Sequence, residues 1–564
     1  MPISDLFSKA GITFWDVAHE TNGGLIADGY TRATGKMSMV VAQNGPGITG
    51  LVTPIKTAYW NHTPLLVVTP QAANKTMGQG GFQEVEQMNL FKDMVCYQEE
   101  VRDPSRMAEV LNRVIEKAFR GSAPAQINVP RDYWTQVIDI DLPPIVRFER
   151  QGGGEEAVNK AASILSKAKF PVILSGAGVV IGNAIEECKI LAERLDAPVC
   201  NGYQHNDSFP GSHPLAVGPL GYNGSKAAMQ LISKADVVLA LGTRLNPFST
   251  LPGYGIDYWP KNATIIQVDM NPDRIGLTKK VTVGICGDCK MVAKQISDKL
   301  SKDAGNDGRE ERKNLIHKTK SAWLQTLTGL DHEEDDPGTV WNKEARERDK
   351  DRMSPRQAWR AIQEAIPTGA IISSDIGNNC AIGNAYPTFE EGRKYLAPGL
   401  FGPCGYGFPS ILGAKIGCPE TPVIGFAGDG AFGISMNEMS SCARKEWPAI
   451  TMVIFRNYQW GAEKRNSILW FDDNFVGTEL DPELSYAKVA NACGLKGVTV
   501  KTMEETTKVI KQSCEDQKKR ITTFIEVILN QELGEPFRRD AMKKPVKVAG
   551  ISKNDMRPQK SLVS

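Results

Sequence analysis

The sequence predicts an α/β protein built from three consecutive parallel-sheet domains, and three observations carry that expectation. The chain has 564 residues, more than a single hydrophobic core accommodates. Three blocks repeat the alternation of short apolar runs and amphipathic segments that marks strand–helix–strand units. Glycine-rich turns close several of the apolar runs, which is where open α/β sheets hold their ligands.

The first block, residues 1–145, contains "MSMVVAQ", "PLLVVTP" and "AQINVPRD". The second, residues 150–300, contains "PVILSGAGVV", "ADVVLALGTRL" and "ATIIQVDMN". Residues 301–352, with "DHEEDDPG" and "NKEARERDKDR", read as a charged connector whose charge marks exposure. The third block, residues 353–530, holds "GAIISSDIG", "PVIGFAGDG", "ITMVIFRN" and "TTFIEVIL". Residues 531–564 are polar, basic and proline-spaced, and read as an extended C-terminal arm.

Composition excludes several partners. Lys and Arg total 66 against 65 Asp and Glu, so no global field draws the chain to nucleic acid or to an anionic membrane. No apolar run approaches the roughly 20 residues of a membrane helix. The opening "MPISDLFSKAGITFW" lacks the basic start and apolar core of a signal peptide, and the cytoplasm is the expected location. Eleven cysteines include one CxxC, Cys286 to Cys289, with no second pair or histidines at ligand spacing. They read as ordinary thiols.

The stretch "VIGFAGDGAFG", Val423 to Gly433, carries the chemistry. Glycines after a strand let backbone amides approach a phosphate, yet a carboxylate between them repels one. A divalent cation resolves the conflict, because Mg²⁺ joins one or two carboxylates to phosphate oxygens. Asp429 is then a metal ligand, with Gly428 and Gly430 giving close backbone approach. "VIFRNYQW" ends in Asn457, 28 positions later. Its amide oxygen and the carbonyl of Gln459 complete the candidate set. Taken alone, Gly-Asp-Gly is equally a tight turn; the strand–GDG–helix–strand–Asn order is the stronger signal.

With these residues in place, the chain resembles the thiamine-diphosphate-dependent enzymes. "HETNGGLIADGYTRATGK" (His19 to Lys36) resembles the segment that carries the family's glutamate, here Glu20. "QNGPGITG" (Gln43 to Gly50) resembles the loop beside the aminopyrimidine, with Asn44 and Pro46, and "GGFQE" (Gly80 to Glu84) a substrate-side loop with Gln83. "DIGNNC" (Asp375 to Cys380) matches a diphosphate loop through Asn378 and Asn379, and Ala431 follows the Gly-Asp-Gly. "GPCGYGFPSILGAKIG" (Gly402 to Gly417) resembles the support of the bent cofactor, with Cys404 beneath it. The resemblance implies thiamine diphosphate and Mg²⁺ as cofactors. It also implies pyrimidine-binding, central and diphosphate-binding domains, and a homodimer or homotetramer with active sites between subunits. Glu20 is implied to hydrogen-bond N1′ of the aminopyrimidine, a role suited to a carboxyl with a movable pKa.

Within the family, "FRNYQWGAEKRN", "NQELGEPFRRDAMKKP", "YWNHTPLLVVTP" and "YQHNDSFPGSHPLAVGPLGY" resemble the sulfoacetaldehyde acetyltransferases. The activity this implies is cleavage of sulfoacetaldehyde by phosphate to acetyl phosphate and sulfite, with the acetyl group carried on the cofactor. Two anions need recognition, and Arg538, Arg539, Lys543 and Lys544 on the arm are candidates, since guanidinium matches oxyanions; a solvated basic tail is the alternative. His62 and Gln83 are candidates for proton transfer and substrate orientation, with His62 equally readable as a packed histidine.

Two departures stand out. Met1 falls well inside the family's first domain, so that domain is expected to lack its N-terminal strand. Cys404 is smaller than the apolar residue many relatives place there, which leaves Tyr406 or a neighbour to fill the space. A pyruvate-using carboligase of the acetolactate synthase kind, and a non-catalytic thiamine-diphosphate-binding protein, are the alternative readings.

Overall fold

The structure is a computed structural model and describes residues 4–144, 149–329, 347–471 and 474–533. It contains three sheets whose strand pairs are all parallel. The first is formed by β1 (Ser38–Val41), β2 (Leu65–Gln71), β3 (Tyr97–Glu100) and β4 (Ala125–Pro130), in the order β1-β2-β4-β3. The second contains β5 (Pro171–Ser175), β6 (Val199–Asn201), β7 (Ala216–Pro219), β8 (Val237–Leu241), β9 (Thr264–Asp269) and β10 (Val283–Cys286), ordered β10-β9-β8-β5-β6-β7. The third contains β11 (Ile371–Ser374), β12 (Tyr395–Leu396), β13 (Val423–Gly428), β14 (Thr451–Arg456), β15 (Lys496–Val500) and β16 (Thr523–Ile528), ordered β12-β11-β13-β14-β16-β15. Central strands such as β2, β5, β8 and β14 are buried along their whole length, as parallel strands covered on both faces must be.

The first and third sheets share a design. The order β1-β2-β4-β3 repeats β13-β14-β16-β15 of the third sheet, without counterparts of β11 and β12. Among the described residues β1 therefore forms an edge, and residues 12–17 ahead of it belong to no helix or strand.

Two helices lock these domains together. Helix α1 (Glu20–Thr34) is N-capped by His19, whose side chain accepts from the Thr21 amide, and ends at Gly35 with φ 73°. It crosses α2 (Gly407–Gly417) at glycines on both sides. A Cβ on Gly29 would overlap the Ser410 carbonyl, and one on Gly413 would sit 2.7 Å from the Tyr30 amide nitrogen. Only bare backbone permits so close a crossing. The acidic run at residues 331–338 lies outside the described residues, and no described helix is long and apolar enough to cross a membrane.

Candidate active site

The third sheet delivers its polar groups at the carboxyl ends of β13 and β14. Asp429 opens α3 (Asp429–Ser435) directly after β13 and is almost wholly buried. Its Oδ2 accepts from the Tyr458 amide at 2.7 Å and from Arg456 Nη1 at 3.0 Å, and its Oδ1 from the Gly430 amide at 2.9 Å. Burial pushes this carboxyl up to about 6, while Arg456 and the amides pull it down. After β14 the chain turns through Tyr458 at φ 62° and brings Asn457 and Gln459 to the same cavity, both buried. Asn457 donates to Asn379 Oδ1 at 3.3 Å, and Asn379's carbonyl accepts from Trp359 Nε1 at 2.7 Å. Gln459 donates to the Gln531 carbonyl, which leaves its buried Oε1 without a partner.

These groups line a cavity of about 1180 Å³. Asn378, Asn379, Cys404, Gly428, Gly430 and Ala431 line it as well. Gly428 faces open space, with nothing within 4 Å of where a Cβ would be, whereas a Cβ on Gly430 would strike the Trp460 ring at 2.9 Å. So the two glycines differ: one keeps the cavity floor bare, the other makes room for an indole. Cys404 is half-buried, and burial pushes its thiol up to about 12. Tyr406 does not fill the space beside it. Its hydroxyl donates to Asp28 Oδ2 at 2.7 Å and accepts from Arg32 Nη1 at 2.7 Å, which turns the ring toward the first domain.

A second cluster forms in the first domain. Glu20 sits at the start of α1 against the loop that carries Asn44 and Pro46, and a Cβ on Gly47 would lie 3.2 Å from its Oε1. Asn44 Nδ2 donates to the Gln83 carbonyl at 3.0 Å, and Gln43 Nε2 to Gln83 Oε1 at 3.1 Å. Gln83 takes φ 61°. Glu20, Asn44, Pro46 and Gln83 are thus neighbours, yet none of them lines the Asp429 cavity, to which the first domain contributes only Trp60. His62 belongs to neither group. It lies in a separate crevice of about 270 Å³ with Arg244 and Arg274. Arg274 lies 3.2 Å from its Nε2, and burial with these arginines holds its pKa well below the ordinary histidine range. Because a guanidinium only donates, Nε2 accepts and the ring is neutral. Arg538, Arg539, Lys543 and Lys544 lie outside the described residues.

Sequence reasoning missed four groups. Arg456 is fully buried between Asp429 and Glu526, with N···O separations of 3.0 and 3.6 Å. Asp375 accepts from the amides of Ile376, Gly405 and Gly407, and so clamps the Cys404 loop to the end of β11. Glu438 is fully buried, and its carboxylate accepts from the Ala18 amide (3.1 Å) and from Asn22 Nδ2 (2.8 Å), on either side of Glu20. Arg465 donates to Tyr222 and Asn378. A charged residue inside an apolar or helical run is the available signal, but most of its partners lie outside its own run, from 27 positions away for Arg456 and Asp429 to 420 for Glu438 and Ala18.

Comparison with known proteins decides the family. The thiamine pyrophosphate enzyme N-terminal TPP binding domain matches residues 1–90, the central domain residues 158–296, and the C-terminal TPP binding domain residues 375–527. A "Probable sulfoacetaldehyde acetyltransferase" of Rhizobium meliloti is 76% identical over 562 residues, covering 100% of this chain and 95% of that protein. The sulfoacetaldehyde acetyltransferases of Roseovarius nubinhibens and Rhodobacter capsulatus are 75% and 68% identical, each over 99% of this chain and over 93% and 95% of their own lengths. The chain belongs to the thiamine pyrophosphate enzymes, on their sulfoacetaldehyde acetyltransferase branch. A "Probable acetolactate synthase large subunit" of Methanococcus aeolicus stands further off, at 28% over 91% of this chain and 85% of its own length.

A thiamine pyrophosphate enzyme uses thiamine diphosphate with a divalent metal, and the residues present fit that pair. Asp429, Asn457 and Gln459 offer hard oxygens, the donor type Mg²⁺ takes. The partnerless Oε1 of Gln459 and the open space at Gly428 lie on the same cavity wall. Asp429 supplies the carboxylate, and among the described residues no group of three or more His, Cys, Asp or Glu competes as a metal centre.

Proposed function

We propose that the chain cleaves sulfoacetaldehyde with inorganic phosphate, forming acetyl phosphate and sulfite. The observation that carries this reading is identity of 45–76% to sulfoacetaldehyde acetyltransferases over at least 97% of the chain, joined to a cavity lined by Asp429, Asn457 and Gln459, whose carboxylate, amide oxygen and backbone carbonyl are the candidate ligands for a metal-held diphosphate. Thiamine diphosphate, when bound, would supply the nucleophilic carbon and electron sink that cleavage of the aldehyde and acetyl transfer to phosphate require.

The chain's own residues hold and shield that chemistry. Asp429, Asn457 and Gln459 hold Mg²⁺. Asn378 and Asn379 frame the diphosphate, and Cys404 and Ala431 line its approach. Glu20, as a carboxyl that donates to N1′ of the aminopyrimidine, would favour its imino tautomer, with Asn44, Pro46 and Gln83 around the same ring. The bonding of Arg456 and Tyr458 to Oδ2 of Asp429 keeps the carboxylate in one orientation before metal arrives, which is preorganisation of a ligand.

The two clusters do not face each other within one chain, so the working unit is a homodimer or homotetramer in which Glu20 of one copy meets Asp429 of another. Exposed apolar side chains near both clusters support this: Phe82 is 84% exposed, Ile434 57% and Phe401 42%. The reaction is tested by quantifying sulfite and acetyl phosphate from purified protein with thiamine diphosphate, Mg²⁺, sulfoacetaldehyde and phosphate, with pyruvate as a parallel substrate. Phosphate-dependent formation of both products is expected; turnover of pyruvate alone would assign a carboligase. The shared site is tested by mixing Glu20→Ala and Asp429→Ala chains after dissociation. Activity returns in mixed oligomers if sites are shared, and stays absent if each chain is complete. Asp429→Ala by itself is expected to abolish Mg²⁺-dependent cofactor binding.

A further inference from the structure

Among the described residues three arginines are fully buried, and two have their charge compensated, although Arg456 Nε makes no hydrogen bond. Arg312 donates to five backbone carbonyls, those of Asp196, Lys169, Asp307, Leu195 and Gly305. Arg456 is paired with Asp429 and Glu526. Arg465 has neither kind of compensation. On α4 (Gly461–Trp470), it donates to Tyr222 Oη at 2.8 Å and to Asn378 Oδ1 at 2.5 Å, both neutral, and its buried Nε has no partner. Among the described residues no carboxylate lies within ion-pair distance of it.

A buried cation without an anion is costly, and such a charge persists where an anion is to be met. The position of Arg465 says which one. Tyr222 and Asn378 both line the Asp429 cavity, and so do Ala462, Glu463 and Asn466 beside Arg465 on α4. Among the described residues the cavity wall carries the acids Asp429 and Glu463 and no Lys or Arg. Arg456 and Lys464 also lie behind that wall, each paired with a carboxylate; Arg465, which bridges the central and third domains, is the buried cation there for which no ion pair is described. The sulfonate of the aldehyde and the phosphate acceptor are tetrahedral oxyanions, and each must approach a cavity that already holds an anionic diphosphate.

We propose that Arg465 is the positioning residue for the reactant oxyanion, drawing it to the Tyr222 side of the wall, next to the diphosphate framed by Asn378, with its uncompensated charge. This rests on the reading above, and its test separates the two. The protein is the full chain loaded with thiamine diphosphate and Mg²⁺, and the probes are ethanesulfonate and inorganic phosphate, measured by calorimetry and by shift in Tm without turnover. Arg465→Met is expected to weaken binding of at least one probe by about tenfold or more, the worth of a charge-assisted contact. Arg465→Lys recovers most of that loss, and cofactor affinity stays within about twofold of wild type in both variants. The KM for the matching reactant rises more than kcat falls. Loss for ethanesulfonate alone assigns the sulfonate, and loss for phosphate alone the acceptor; either supports the proposal. It is overturned if both probes bind Arg465→Met as they bind wild type, or if only cofactor affinity falls. Absence of saturable oxyanion binding by wild type overturns it too, even where Arg465→Met does not fold. Failure of wild type to turn over sulfoacetaldehyde would instead strike the proposed reaction, and leave the binding result to stand or fall separately.

Discussion

Glu438→Ala tests whether the corner that carries Glu20 is held from the third domain. The carboxylate is fully buried and accepts from the Ala18 amide, from Asn22 Nδ2 and from Ser441 Oγ. Ala18 and Asn22 lie two residues before and after Glu20, so two of the three bonds span the corner itself. Hydrogen bonds to a charged acceptor contribute about 1.5–3 kcal/mol each. The Ala18 amide is reachable by water, and Asn22 Nδ2 keeps Asn437 Oδ1 at 3.0 Å. The local loss is then about 2–4 kcal/mol, enough to loosen the start of α1 without unfolding the chain. A catalytic group displaced by 1 Å costs about 100-fold. The readout is the rate at which the C2 proton of bound thiamine diphosphate exchanges for deuterium, followed by acid quench and NMR. It reports on Glu20 and not on substrate. Exchange is expected to slow by about 10- to 100-fold in Glu438→Ala with cofactor affinity little changed. Glu438→Gln falls between, because it keeps one acceptor oxygen and sets an N–H₂ against a donor. Exchange within twofold of wild type in a folded Glu438→Ala protein would refute the reasoning.

Gly413→Ala is expected to destabilise by about 2 kcal/mol or more, since its Cβ meets the Tyr30 amide nitrogen at 2.7 Å and overpacking outweighs the roughly 1 kcal/mol of helix propensity gained; the denaturation midpoint of the apo protein measures it. His205 predicts acid sensitivity: burial with Arg32 and Arg244 lowers its pKa from 6.5 to about 3, so the unfolded chain binds a proton below pH 6.5 that the folded chain refuses. Stability is unaffected above pH 7 and falls by up to about 2 kcal/mol at pH 5, and His205→Asn flattens that limb of the Tm–pH curve.

What was legible in the sequence depended on how local the determinant is. Strand β13, the Gly-Asp-Gly turn and α3 follow one another within thirteen residues, so periodicity and glycine placement expose them, and three parallel sheets follow from the same alternation repeated. That β1 lies at the edge of the first sheet among the described residues agrees with the expectation drawn from where Met1 falls in the family pattern. Side-chain pairings were not visible. Tyr406 was expected to fill space near Cys404, but Asp28, 378 positions away, takes its hydroxyl. His62 was a candidate for proton transfer or a packed histidine, and the groups that hold it neutral, Arg244 and Arg274, come from beyond the ends of β8 and β9. Arg456 and Arg465 read as helix or strand charges until their burial is seen. No window of sequence reports burial of a long polar side chain, because it is fixed by which strand ends converge.

The same long-range contacts explain why one chain holds two half-sites that stay apart. Helix α1 begins at Glu20 and crosses α2, which follows the Cys404 loop, at Gly29 and Gly413. Glu438, three residues beyond α3, bonds on either side of Glu20. Asp28, Arg32 and Tyr406 pin the middle of the same crossing. The first and third domains are therefore fixed to each other through the backs of their sites, in an arrangement that leaves Glu20 outside the Asp429 cavity. Closing the distance within a chain would require breaking the glycine crossing and the carboxylate bonds of Glu438 and Asp28, whereas in the proposed oligomer a second copy would bring the other half without disturbing any of them. The rigidity that separates the two clusters is what would make the proposed shared site the low-energy solution.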